Sequence, residues 1–239
     1  RLWVSRRAAG YAALLAALSS SIAQTLHVFG QLPTLLSLGL LLNSLPFAHR
    51  WFRTGHLPSL VAGLACAAAT TAGHHVTTLF GSVFFLGPVV VLALVEEART
   101  PLPDETATHA VRLRRGLFVP LVVRRVRRVV PALVRVSVYG VLVISALVTV
   151  VLPYWLWGSS DPITQMPIPH ASRDNFLADP NVGLVFWLVP WGLLAFVLPY
   201  VVVRGLFGTT WPLAASVALL ALLGTGGTTP LPRMLLGGA

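Results

Sequence analysis

The run VSVYGVLVISALVTVVLPYWL, residues 136–156, decides the fold class of this chain. It holds twenty-one residues without a charge, and about 20 apolar residues are what an α-helix needs to cross the ~30 Å hydrocarbon core of a bilayer. Six further runs of the same character lie at about 8–27, 32–48, 57–72, 76–95, 183–203 and 210–224. The runs at 57–72 and 210–224 are short, and fit tilted or half-inserted segments or helices buried among neighbours. The expected architecture is all-α, a polytopic transmembrane helical bundle of about seven spans.

Composition agrees. Of 239 residues 56% are hydrophobic and only 10% are charged, with a mean hydropathy of +0.80. A soluble domain carries about a quarter of its residues as charges, so there is too little polar surface here to clothe a globule. The lone Cys66 lies in an apolar run and reads as a small packing residue; one cysteine allows no intramolecular disulfide and no Cys-rich metal site. Arg1 stands where a Met is expected, no cleavage site follows Arg6 and Arg7, and MLLGGA closes the chain without a polar end. Both ends read as cut from a longer protein.

The net charge of +10 comes from arginine alone, and its placement sets an orientation. With the N-terminal end cytoplasmic, the segments 1–7, 49–56, 96–135 and 204–209 carry fifteen arginines. The segments on the other side carry two, Arg173 and Arg233. Positive charge gathers in cytoplasmic loops, so this orientation is the expected one. A pI near 11.5 is also seen in nucleic-acid-binding proteins, but arginines that flank apolar spans belong to a membrane surface, and no nucleic-acid partner is expected. In LVVRRVRRVV, residues 121–130, Arg124, Arg125, Arg127 and Arg128 share one side of a helix and the valines the other. That pattern fits a cytoplasmic amphipathic helix in the headgroup plane, bounded by Pro120 and Pro131, with its arginines on anionic lipid phosphates; an ordinary positive-inside anchor is the simpler account of the same residues. The chain divides into a four-span half (1–96), a cytoplasmic linker with this helix (97–135), and a three-span half (136–239) that carries an extracytoplasmic loop at 157–182.

Polar groups at the outer face are the candidates for chemistry. HVFGQLPT, residues 27–34, is a tight turn in which Gly30 supplies an unusual backbone angle and Pro33 opens the next helix, leaving Gln31 in the interface. TTAGHHVTTLFG, residues 70–81, holds His74 and His75; about 100° apart on a helix, they lack the i, i+4 spacing of a metal pair, but either can hydrogen-bond a phosphate or exchange a proton near neutrality. The loop at 157–182 holds Asp161, Asp174 and Asp179. Two of these begin Asp-Pro turns, so Asp174 is the candidate base. GTGGTTPLPRML, residues 224–235, follows the last span. The backbone amides of Gly226 and Gly227, the Thr228 hydroxyl and the Arg233 guanidinium suit a phosphate or pyrophosphate head, and the same residues also suit a flexible exit from the membrane. No GxSxG, CxxC, HExxH or Walker pattern is present. The spans hold no charge well inside their cores, which argues against an ion-coupled transporter.

FGQLPTLLSLGLLLNSLPFAHRWFRTG, AAATTAGHHVTTLFGSVFFLGPV and GTGGTTPLPRMLLG resemble bacterial multi-span membrane proteins labelled "6-pyruvoyl-tetrahydropterin synthase-related", a group similar to the GT-C glycosyltransferases that use polyprenyl-phosphate sugars. The resemblance covers most of the chain. It implies a helical bundle in the bacterial inner membrane with its active site on the outer side, an acidic residue in the first outer loop as base or partner of a divalent cation, and a lipid-phosphate site drawn from later loops. His74, His75 and Arg233 occupy motif-like positions. One departure is plain: the first outer turn, Val28–Gln31, has no carboxylate. If a base-bearing loop precedes Arg1, transfer of a sugar from a polyprenyl phosphate is expected, with His75 and Asp174 as catalytic groups and His74, Gln31, Gly226, Gly227, Thr228 and Arg233 on the substrate. Otherwise a non-catalytic subunit of a larger membrane complex is expected, its small-residue helix GLACAAATTAG suited to close packing. A solute facilitator needs a continuous polar path, which uniformly apolar spans do not offer.

Overall fold

The computed structural model describes residues 4–17, 20–27, 30–100, 118–158, 181, 194–224, 229–231 and 234. Among these the chain is all-helical. Two short helices, α1 (Arg6–Ala17) and α2 (Ser20–His27), lead into α3 (Leu32–Thr54) and α4 (Leu57–Gly73). A continuous rod follows, made of α5 (His75–Gly81), a π turn (Ser82–Leu86) and α6 (Gly87–Arg99). Then come α7 (Phe118–Gly158), α8 (Leu194–Leu206) and α9 (Trp211–Leu223).

Three helices are long and apolar enough to cross a membrane: Leu32–Thr54, His75–Arg99 and Val126–Gly158, of 23, 25 and 33 residues. At 1.5 Å per residue these reach about 34, 37 and 50 Å, each longer than a ~30 Å hydrocarbon core. Leu57–Gly73, Phe196–Leu206 and Trp211–Leu223 are apolar but shorter. The expected first span, 8–27, is represented by helices of 12 and 8 residues, and the expected span at 183–203 is described only from residue 194. The molecule turns large apolar side chains outward, with Val141 62% exposed, Leu156 66% and Phe196 77%. Water would not tolerate so broad an apolar surface.

The turns follow from local chemistry. Gly30 sits at φ +62° ahead of α3, and Pro33 occupies that helix's first turn, where a missing N–H costs nothing. Gly55, at φ +68°, ends α3 in the left-handed conformation that glycine adopts freely, and its amide donates to Trp51 O at 2.8 Å. The chain thereby reverses within two residues into α4. Inside the bundle α3, α4, α6 and α7 meet around Ala48, Phe52, Val89, Ala93 and Tyr139. Alanines at the crossings bring the backbones close, while Phe52 and Tyr139 pack edge to face at 5.4 Å.

The helix boundary expected at Pro131 is absent. The basic stretch 121–130 is not a separate helix ending at Pro131; α7 runs unbroken for 41 residues with Pro131 inside it. Proline there removes a single backbone bond, to the carbonyl of Arg127, and crowds it. Burial of Ala132 at the next position and the anchoring of Arg135 one turn later offset that loss.

A second proline explains the π turn. Pro88 has no N–H, so the Phe84 carbonyl four residues earlier loses the donor an α-helix would give it. The helix widens by one residue, and Gly87 N–H reaches Ser82 O. The buried Ser216 hydroxyl of α9 donates to Phe84 O and satisfies it from outside the helix. Ser216→Ala should therefore cost about 1–3 kcal/mol by stranding a buried acceptor. In a Pro88→Ala background, where residue 88 regains its N–H, the same change should cost less than about 0.5 kcal/mol. Thermal unfolding of the four proteins in detergent measures the coupling, and strictly additive losses would disprove the link.

Candidate functional site

The first end of the bundle is built where α3 begins and α4 stops. A Cβ placed on Gly73 would collide with Ser37 Oγ and come within 4.0 Å of Pro33 O, so the end of α4 lies against the first turns of α3. Gln31 caps α3 with its backbone: Leu35 N–H donates to Gln31 O at 3.2 Å, while the side chain stays exposed. His74 breaks the path from α4 to α5 in an extended conformation, φ −162°. Its amide donates to Thr70 O at 2.9 Å, and its Nδ1 lies 2.8 Å from Thr77 Oγ1. That contact fixes the ring and leaves Nε2 as the nitrogen turned away from Thr77. The His75 ring lies 6.2 Å from that of His74, tilted by 30°, and both residues are half-buried. Gln31, His74 and His75 thus share one end of the bundle.

The other predicted site residues are placed less fully. Arg124 and Arg125 lie near the start of α7, Arg127 is exposed, and Arg128 Nη1 donates to Thr100 O at 3.3 Å. Asp174, Gly226, Gly227, Thr228 and Arg233 lie outside the described residues. At the histidine end two imidazoles stand without a carboxylate among the described residues, and no group of three or more His, Cys, Asp or Glu side chains arranged to hold a metal ion is found among them.

The opposite end holds a cluster that the sequence reading passed over. Arg53 Nε donates to Glu97 Oε2 at 3.0 Å, Arg53 Nη1 also bonds Glu96 Oε2, and His49 Nε2 lies 3.0 Å from that same Glu96 oxygen. Two carboxylates at the end of α6 are thereby bound to one face of α3, where His49 and Arg53 stand i, i+4. Behind them Arg135 of α7 donates through Nη1 to the carbonyls of Phe52 and Arg53, at 2.9 and 2.8 Å. Trp51 Nε1 returns a bond to Arg135 O at 2.9 Å. The last carbonyls of any helix lack partners within it, and here a guanidinium from a neighbouring helix supplies one. The signal was present in sequence: Glu96 and Glu97 are adjacent acids closing an apolar run, in a chain with seven acids in all.

The structure also alters the view of the spans as uniformly apolar. Serines and threonines buried in α3, α4 and α5 collect along one interior seam; Thr71 Oγ1 and Thr78 Oγ1 meet at 3.0 Å, and Thr70 Oγ1 donates to Cys66 O at 2.8 Å.

Arg135→Met should lower stability by about 1.5–3 kcal/mol, the usual worth of a hydrogen bond to a charged group. Arg50→Ala, on an exposed position of the same end, should stay within about 0.5 kcal/mol of wild type. Equal losses for the two, measured by thermal unfolding in micelles, would refute the capping role. Compared with protein-family models, curated proteins and solved structures, the chain finds no match.

Proposed function

We propose that this chain is a polytopic protein of the bacterial inner membrane, with about seven spans and a cytoplasmic N-terminal end, that handles a polyprenyl-phosphate-linked sugar at its outer face in the manner of a GT-C glycosyltransferase. One observation supports the reading above others. Gln31, His74 and His75 lie together at one end of the bundle, while Arg53, Glu96 and Arg135 close the other. The arginine-rich end belongs inside by the rule that positive loops stay cytoplasmic, which turns the histidines outward, to the side where lipid-linked sugars are used.

In this reading His74 and His75 donate to the phosphate of the donor lipid. Asp174 or His75 takes the proton of the acceptor hydroxyl as that oxygen attacks the anomeric carbon. The bond from that carbon to the phosphate oxygen breaks, and Arg233 with the amides of Gly226 and Gly227 and the Thr228 hydroxyl stabilises the departing phosphate. Arg124, Arg125, Arg127 and Arg128 meet anionic lipid on the inner side.

A specific observation favours a second reading, a non-catalytic subunit of a larger membrane complex. Among the described residues the carboxylates are Glu96 and Glu97, both at the arginine end and both engaged there. The base expected by family resemblance therefore has to come from elsewhere, Asp174 included.

Transfer from a radiolabelled polyprenyl-phosphate sugar by membranes carrying the protein separates the two. Arg233→Ala and His75→Ala should each lower turnover by about 10²-fold or more without loss of folded protein. Unchanged turnover in Arg233→Ala removes that residue's role; absence of any transfer, with a stoichiometric partner copurifying, establishes the subunit reading instead.

A further inference from the structure

The buried hydroxyls form a pattern that sugar transfer does not use. On α4, Ser59, Gly63, Cys66 and Thr70 recur at intervals of four, three and four residues, so they line one face. Ser37 and Ser44 of α3, two turns apart, face the same interior and are 0% and 2% exposed. From α7, Tyr139 reaches in between, 1% exposed, its hydroxyl only 3.0 Å from where a Cβ on Gly63 would stand. Farther along, Thr70 Oγ1 lies 3.4 Å from Ser37 O, and the Thr71–Thr78 hydroxyl pair follows. Each end of this seam is closed by an imidazole hydrogen-bonded to a hydroxyl. His56 Nδ1 is 2.8 Å from Ser59 Oγ, and His74 Nδ1 is 2.8 Å from Thr77 Oγ1. The two histidines flank the 17 residues of α4, about 25 Å of helix.

Most of these hydroxyls bond back to their own helix: Ser44 donates to Leu41 O at 2.6 Å and Thr71 to Ala67 O at 2.9 Å. That is the usual way a serine or threonine is accommodated in an apolar helix, and each such oxygen can still accept a further bond. Tyr139 and Ser37 differ. Neither hydroxyl makes a well-formed hydrogen bond to the protein, although both are fully buried; the Ser44 hydroxyl is the polar neighbour of Tyr139 Oη. An orphaned hydroxyl in an apolar interior costs about 1–3 kcal/mol, and a well-packed phenylalanine or alanine would avoid the cost. Gly63 and Gly73 let these two hydroxyls approach α4 where a side chain would otherwise stand. Buried polar atoms of this kind take up internal water where the packing leaves room for it.

We propose that this seam is a proton path across the membrane, with water held by Tyr139 Oη and Ser37 Oγ joining the hydroxyls between His56 and His74. At each hop an oxygen takes a proton on a lone pair as its own O–H proton passes to the next oxygen, so no charge stays in the apolar interior. At the ends, an imidazole takes a proton at one ring nitrogen and gives one up at the other. The movement needs no reductant or second substrate; a proton gradient drives it. It rests on the spanning arrangement proposed above and not on sugar transfer.

The test uses the purified protein in phosphatidylcholine vesicles that enclose a pH-sensitive dye, with a potassium diffusion potential imposed through valinomycin. Wild type should acidify or alkalinise the lumen faster than protein-free vesicles. Tyr139→Phe, which keeps the ring that packs on Phe52, should reduce the protein-dependent rate by about tenfold or more, and Ser37→Ala should do likewise. Val148→Ala, on the outward face of α7, should leave it unchanged. A thermal unfolding midpoint for Tyr139→Phe equal to wild type or higher separates loss of conduction from loss of fold. Wild-type flux equal to that of empty vesicles, or undiminished flux in Tyr139→Phe, overturns the path. Carbonate extraction reads the underlying arrangement separately: protein retained without flux removes the path alone, whereas protein stripped from the vesicles removes the spanning reading as well.

Discussion

The bond between Arg135 and the last carbonyls of α3 is the constraint around which the bundle is arranged. A helix that ends near hydrocarbon leaves carbonyls that water cannot readily reach, and each unmet one is costly. Arg135 covers Phe52 O and Arg53 O, and Trp51 fixes the register of α7 in return. With that register set, Tyr139 and Val143, one and two turns farther along α7, fall into the core against Phe52 and Ala67. The Arg53–Glu96–Glu97 pairs then hold α6 at the same level. Ion pairs this exposed to solvent contribute little on their own, but here they join a backbone contact whose loss would leave acceptors unmet.

Much of this was legible in the residues. Uninterrupted apolar runs gave the helical class, and Gly30 and Pro33 marked the first reversal through the backbone geometry they favour, whereas the turn at Gly55 emerged only from the structure. The adjacency of Gln31, His74 and His75 followed from topology, because a short turn returns α4 to the level where α3 began. What could not be read is what depends on partners far apart in sequence. Pro131 looked like a boundary because proline disfavours helix interiors locally, and only Arg135, through its contact with residues more than eighty positions away, shows why the helix continues. Hydroxyl residues at 37, 44, 59 and 70 hardly change local hydropathy, so the seam they form emerges only once three helices are packed. The residues of the proposed phosphate site after α9, and Asp174, are silent for a different reason, since they lie outside the described residues.

The two ends of the bundle differ in chemistry. One is closed by charges that satisfy each other and carbonyls that are capped; the other presents two neighbouring imidazoles, of which His74 is held by Thr77. An end of the first kind holds shape, and an end of the second kind suits exchange of protons or contact with a phosphate.

The Phe84 carbonyl has a bearing on how the protein comes to be assembled. Helices enter a bilayer in sequence order, and the rod containing Phe84 precedes α9 by more than a hundred residues. Until α9 arrives, that oxygen lacks the Ser216 hydroxyl, so one internal contact of the early helices is made only by a late-synthesised neighbour. Closure of the first half's interior is thereby tied to completion of the second.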